Sequence, residues 1–464
     1  MRPSRYVILT DFGSTYTKVV VADLEEKSVV LTNRFPSTVS YDARVGLEQC
    51  FDAARKVIGD QTFDEALKLS SSSAAGGLRM GVVGLSRSLS AQAARSAAFG
   101  AGAKILYTCA GRLKPEDVAQ LESLPLEILL FCGGYEHSGT KVLLHNAELL
   151  AKSQLHIPVI FAGNSAGAAE VRRLFTQEKK ECYIARNIIP DVGQIDKDQV
   201  EEIIREVFLH RIINMKGLDK VSGLLDRMVM PTPAAVLSAG ALLARGTENQ
   251  PGLGDLIIVD VGGATTDIHS YAEQMPYDGA KLVGVPEPYH KRTVEGDLGM
   301  RESSNSLCSE IGLERMVRDT GLSWEEIQSV ISYWVTHNRE LAGTEAQQKV
   351  DKALAEGAVR ISARRHAGQI QQISSAGIKK VQRGKNLTSV QTVIGTGGPL
   401  VFSGNGETAL RQVLRDPARE SDILLPEKAT FYLDADYVFF AGGLLREVDE
   451  DTALTIMKNS LREI

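Results

Sequence analysis

The chain has 464 residues, 43% of them hydrophobic, and carries a formal net charge of -6. Length and apolar content predict a globular protein of roughly two to four domains, and the acidic balance, with Lys and Arg dispersed, argues against a nucleic-acid partner. The longest mostly apolar runs, such as Pro233 to Ala244 and Tyr437 to Leu445, fall short of the roughly 20 residues that cross a bilayer, and no leader pattern follows Met1. A cytoplasmic location without a membrane partner is the expectation.

In chain order, residues 6–10, 17–23 and 29–35 read as three strands with an antiparallel start. A helical pattern covers Asp42 to Ile58 and a second covers Phe63 to Leu69; Ser70 to Gly77 then reads either as a linker or as an ordered loop. From Leu78 to Arg186 short apolar strands alternate with helices, in more units than one nucleotide-binding half requires. That excess predicts an inserted α/β subdomain within about 78–186. Helical periodicity resumes over Asp198–Ile213 and Leu218–Met228, and Thr232 opens an Ala-rich helix ending near Gly246. Its Ala235 and Ala239 give a small-residue face on which a second helix or domain approaches closely. The second half, from near Asp255, repeats strand, glycine turn, strand, and is mainly helical from Ser303 to Ala376. It closes with Gln391–Leu400, a strand followed by glycines, and with Asp436–Leu445, read as a buried strand. The expected domains are residues 1–250, which include the insert, and 251–464.

Two glycine turns carry the chemistry. Asp11-Phe12-Gly13-Ser14-Thr15-Tyr16-Thr17-Lys18 and Asp260-Val261-Gly262-Gly263-Ala264-Thr265-Thr266-Asp267 each follow an apolar strand that delivers an aspartate. Glycine there allows backbone angles that let amides and hydroxyls surround anionic oxygens. Gly13, Ser14, Thr15, Gly262, Gly263, Thr265 and Thr266 are therefore the phosphate-binding candidates. Two such turns across a cleft would clamp a polyphosphate and leave Asp11 and Asp260, the catalytic candidates, to hold Mg²⁺ through water. Each turn alone also reads as a simple tight hairpin. Lys18 reads as a terminal-phosphate contact or as a solvated strand lysine. Gly397 and Gly398 let backbone approach a ligand with no Cβ in the way. Glu295 and Asp297 read as catalytic or, by preference, as a helix cap; His145 and Asn146 read as caps, and Phe161–Asn164 as a strand-end turn. The five cysteines are scattered, which predicts reduced structural thiols and no metal or iron–sulfur motif.

These motifs resemble those of the actin-like ATPase superfamily of sugar kinases and heat-shock chaperones. Asp11–Lys18 looks like the first phosphate motif and Asp260–Asp267 the second. Ile394–Pro399, with Gly395, Thr396, Gly397 and Gly398, looks like the adenosine loop, and the helices around Ala234–Ala244 and after Gly442 look like the two connectors. The resemblance implies an α/β fold of two ribonuclease-H-like actin-type ATPase domains around a nucleotide cleft, with ATP and Mg²⁺ as cofactors. Ser73–Met80, Leu144–Glu148, Phe161–Asn164 and Arg292–Arg301 further resemble the glutamate mutase accessory family called MutL or GlmL. This narrower likeness implies an ATPase acting as a reactivating chaperone on the subunits of an adenosylcobalamin-dependent mutase, glutamate (methylaspartate) mutase, and promoting exchange of damaged cobalamin. A small-molecule kinase of the same superfamily is the alternative, and a scaffold holding ATP as a structural ligand a third reading. The lack of paired cysteines argues against the related iron–sulfur activators of dehydratases.

Overall fold

Two sheets of the computed structural model, which describes residues 4–13, 16–39, 41–72, 78–213, 224–337, 340–374 and 378–464, follow one plan. In the first, Tyr6–Phe12 and Tyr16–Asp23 form an antiparallel hairpin extended by Ser28–Pro36; on the other side lie the parallel strands Leu67–Ser72 and Arg227–Pro231. In the second, Leu256–Val261, Thr266–Tyr271 and His290–Glu295 are the antiparallel part, and Thr392–Thr396 and Thr430–Asp434 the parallel part. Leu461–Glu463 adds an edge strand there. Numbered within each half, the strands lie in the order 3-2-1-4-5 twice. In each half a helix follows the fifth strand, Thr232–Arg245 in the first and Phe439–Leu445 in the second. This is the expected ribonuclease-H-like duplication.

Strand alternation divides the apolar residues between two cores. Ile8, Phe12, Val19 and Val21 pack with Leu47 and Phe51 of the helix Ala43–Ile58. Val7, Leu9 and Val20 turn the other way, joining Leu256 and Ile258 of the second sheet and the helices Thr232–Arg245 and Phe439–Leu445. Those two helices touch backbone to backbone: a Cβ at Gly443 would lie 2.0 Å from the Ala235 carbonyl oxygen. The small-residue face expected around Ala235 is thus used against the second connector.

Between the fourth and fifth strands of the first sheet the chain builds a separate, wholly parallel five-stranded sheet. Its strands Arg79–Gly84, Lys104–Ala110, Ile128–Gly133, Val159–Gly163 and Cys182–Ile184 stand in the order 2-1-3-4-5. Leu129, Leu130 and Phe131 are fully buried, as a parallel strand covered on both faces requires. This is the inserted α/β unit.

Several expectations are corrected. The helix expected over Phe63–Leu69 is Asp60–Glu65, and Leu67–Ser72 is a core strand. Its Ser71 and Ser72 are fully buried because their hydroxyls donate to Asp11 and to the Phe12 carbonyl. Ser73–Gly77 lie outside the described residues, as does most of the helix expected over Leu218–Met228, whose end belongs to the strand Arg227–Pro231. Asp436–Leu445 is not a strand. Asp434 accepts from the amides of Val438 and Phe439 and so starts the helix Phe439–Leu445, apolar all round because it is buried between the halves. The helical stretch from Ser303 ends at His366, and Gln369–Ser374 is a strand.

Candidate functional site

The first hairpin places Asp11 opposite Lys18 and closes its turn with the Gly13 amide donating to the Tyr16 carbonyl at 3.0 Å. Ser14 and Thr15, within that turn, lie outside the described residues. Asp11 is fully buried. Its Oδ2 accepts from Lys18 Nζ at 3.0 Å, and its Oδ1 accepts from Ser71 Oγ at 3.0 Å and from Thr232 Oγ1, the first residue of its connector. Lys18 Nζ also donates to the Tyr437 hydroxyl at 3.3 Å and lies 4.5 Å from that ring's centroid. Burial disfavours the Lys18 charge, but the contacts with Tyr437 and the Asp11 carboxylate outweigh it and raise its pKa. The reading of Lys18 as a solvated strand lysine is overturned: this cation is locked across the two halves.

The second hairpin has the same backbone and the opposite charge. Gly262 N–H donates to the Thr265 carbonyl at 2.9 Å, and Asp260 stands opposite Asp267 where the first hairpin has Lys18. Asp260 faces the cleft and makes no hydrogen bond or ion pair with a described residue. Burial and the neighbouring Asp267 push its pKa up to about 7. Asp267 is held by Thr265 Oγ1 at 2.9 Å and by Arg292 Nη2 at 2.6 Å. The turn itself is carried on the segment after His290–Glu295, since the Gly262 carbonyl accepts from Met300 and that of Gly263 from Arg301 and Glu302.

The third loop closes on the second hairpin. Gly397 has φ +91°, and a Cβ there would lie 2.2 Å from the Val261 carbonyl oxygen and 2.7 Å from Asp260 Oδ1. Only glycine fits both the angle and the approach. Gly398 follows at the cleft wall. Three other candidates face elsewhere: Thr266 Oγ1 donates to the Leu298 carbonyl at 2.7 Å, Gly395 packs on Leu410 and Leu433, and Thr396 Oγ1 donates to Asp434 at 3.1 Å. Glu295 and Asp297 do not cap a helix; both accept from Arg365, at 2.7 and 2.9 Å. His145 and Asn146 lie inside the helix Lys141–Lys152, where Asn146 holds the Leu113 amide at 2.9 Å. Asn164 does cap, accepting from the Ala166 amide at 3.0 Å.

The turns open on one cavity of about 1280 Å³, lined by Gly13 and Lys18 from the first half and by Asp260, Gly262, Gly263, Thr265 and Gly398 from the second. Arg34, on the third strand of the first sheet, crosses the mouth with its guanidinium 4.0 Å from the Phe402 ring centroid and 5.3 Å from that of Tyr16. Toward the second half's helical side, Arg301 pairs with Asp351 at 2.7 Å and lies 4.1 Å over Trp334. Among the described residues no three His, Cys, Asp or Glu side chains gather as a metal cage, and no helix is long and apolar enough to cross a membrane. The arrangement offers glycine-lined backbone, one half-buried cation and, on the opposite wall, one carboxylate without a partner among the described residues, which suits a polyphosphate with a hydrated divalent ion.

Comparison with known proteins gives the family of the chain. The model of the family described as MutL protein matches residues 7–461. Protein MutL of Clostridium tetanomorphum is 36% identical over 459 residues, covering 98% of this chain and 99% of that protein. Among solved structures, ethanolamine utilization protein EutJ from Carboxydothermus hydrogenoformans aligns over 98% of this chain and 90% of its own, at 11% identity and a TM-score of 0.29. Xylulose kinase from Bifidobacterium adolescentis aligns over 97% and 93%, at 13% identity and a TM-score of 0.31. The fold therefore rests on the doubled strand order, and the family on the sequence match: the chain belongs to the MutL protein family.

Proposed function

We propose that this protein hydrolyses ATP in the cleft and uses the nucleotide cycle to remodel an adenosylcobalamin-dependent mutase, with glutamate mutase as the client, so that damaged cobalamin is exchanged. The observation that carries the ATPase part is the meeting of Lys18 and Asp260, from different halves, on one cavity between two phosphate-type turns. The client follows from the family resemblance.

The backbone of Gly13, Gly262 and Gly263 would cradle phosphate oxygens, and Lys18 would place its charge toward the terminal phosphate. Of the two candidate aspartates, Asp260 would hold Mg²⁺ through its water; the ion, when bound, neutralises charge on the phosphates. Of the two, Asp260 is the carboxylate open to the cleft, whereas Asp11 is fully buried and holds Lys18 in place. With a pKa near 7 and no hydrogen bond or ion pair to a described residue, Asp260 is matched to take a proton from an attacking water. Coupling would run through the connectors, because the two walls belong to different halves.

The test is recovery of an inactivated adenosylcobalamin mutase when this protein, ATP, Mg²⁺ and fresh cofactor are supplied together. Recovery is expected to stop when ATP is omitted or Asp260→Asn is used. Equal recovery without ATP would refute the coupling, and stoichiometric transfer of labelled γ-phosphate to a metabolite would favour a kinase.

A further inference from the structure

The cleft continues past the phosphate turns, between the inserted unit and the second sheet. Its inner end is lined by Lys104, at the start of the insert's edge strand Lys104–Ala110, and by His269 and Arg292 from neighbouring strands of the second sheet. His269 and Arg292 stand directly opposite each other in the antiparallel register, so their side chains share a face. Asp267, two residues earlier on the same strand, lies on that face also.

This end is separate from the turns. Two residues of strand place His269 about 7 Å beyond Asp267, away from the Gly262–Thr265 turn. The whole cavity, about 1280 Å³, also exceeds the roughly 300–1,000 Å³ usual for one small-molecule site.

Two groups here are left without partners. His269 is 1% exposed, yet its Nδ1 has no hydrogen-bond partner among the described residues. Buried polar atoms are normally satisfied, so the ring, which lines the cavity, is short of a hydrogen-bond partner. Lys104 is half-buried and makes no ion pair or side-chain hydrogen bond with a described residue. Its chain lies against Gly296, where a Cβ would come within 2.7 Å of Lys104 Cε and 3.1 Å of Nζ. The glycine makes room for this lysine.

The charges fix the ligand class. Arg292 is already neutralised by Asp267, through Nε at 2.9 Å and Nη2 at 2.6 Å, and its Nη1 donates to the Phe99 carbonyl at the end of the insert's helix Ser90–Gly100. Burial and Arg292 hold the His269 pKa well below its usual value, so the ring is neutral and supplies a hydrogen bond without charge. Lys104 is then the one uncompensated charge of the pocket's described lining on this side.

We propose that Lys104 and His269, framed by the Arg292–Asp267 pair, form a second subsite that binds a small singly or doubly charged oxyanion, a carboxylate or orthophosphate. The site is distinct from the polyphosphate turns and closes only while the insert and the second half are in contact. It rests on the ATPase reading solely for the source of the anion: orthophosphate would be the product of hydrolysis, and a carboxylate an independent ligand or phosphoryl acceptor.

Calorimetric titration of orthophosphate and of acetate into the full chain, each with and without saturating ADP, tests this. At least one is expected to bind the wild type and to bind roughly tenfold more weakly to Lys104→Gln, the loss of one charge-assisted hydrogen bond. His269→Gln serves as the second variant, with thermal unfolding of both confirming that they fold. Preference for orthophosphate identifies a product site; preference for acetate identifies a carboxylate site. ADP affinity should be the same in both variants as in the wild type. Absence of binding by either anion to the wild type, or wild-type anion affinity in both variants, would overturn the subsite. Failure of ADP to bind would count against the ATP site instead, while the titrations on the free protein still decide the anion site.

Discussion

Asp260 and Asp11 occupy matching places in the two hairpins but have been given opposite tasks. Asp11 spends its charge on Lys18; Asp260 is left open with a pKa near 7. Its ionised form therefore grows as the pH passes upward through about 7, and Mg²⁺-nucleotide affinity measured by calorimetry is expected to rise over the same interval and to be flat in Asp260→Asn. The linkage runs the other way for folding: a carboxyl raised from 3.8 to about 7 binds its proton more tightly in the folded state, so its contribution is full below 3.8 and is lost as the pH rises through 7. Turnover in Asp260→Asn is expected to fall roughly 10²- to 10³-fold. Lys18→Met strands a fully buried Asp11 charge, and urea unfolding should show a loss of about 3–5 kcal/mol, most of it recovered when Asp11→Asn is added. The two aspartates were legible because strand, Asp and Gly occur in sequence. Their partners were not, since Ser71, Thr232 and Tyr437 reach Asp11 or Lys18 from 60, 221 and 419 residues away.

At the scale of elements, strand pairing decides what local pattern leaves ambiguous. Asp436–Leu445 is apolar enough to be a buried strand or a buried helix, and periodicity does not separate the two over so short a run; the cap from Asp434 does. Ser70–Ser72 look like linker by composition, yet two of the three hydroxyls have their bonds inside the sheet. Thr266 and Thr396 show the same limit from the other side, because a strand residue one position off faces the core and not the cleft. Gly397 is the element-level test. Gly397→Ala puts a Cβ on the Val261 carbonyl at an angle suited to glycine, so circular dichroism should stay close to wild type while ADP affinity in calorimetry drops at least roughly tenfold. Unchanged affinity would separate this loop from the nucleotide.

For the whole molecule, the duplicated fold was readable from two like motifs about 250 residues apart, and the inserted unit from its surplus of strand–helix repeats. The order of strands within the insert was not, because parallel strands of similar apolar content carry no register information in sequence. Assembly adds what neither half holds alone: Lys18 on Tyr437, Arg34 on Phe402 and Arg292 on the Phe99 carbonyl each cross from one part to another. The contact between Gly443 and Ala235 sets how these crossings are made and broken. Helices that meet through side chains are geared, and one turns on the other only by changing rotamers. At its closest point this joint is bare backbone without teeth, so the grips on the two arms far from the pivot help set its angle. Small-angle scattering should therefore show a nucleotide-dependent change of shape in the wild type, and Gly443→Val, which puts teeth into the joint, should fix the arms at one angle whether ATP is present or not.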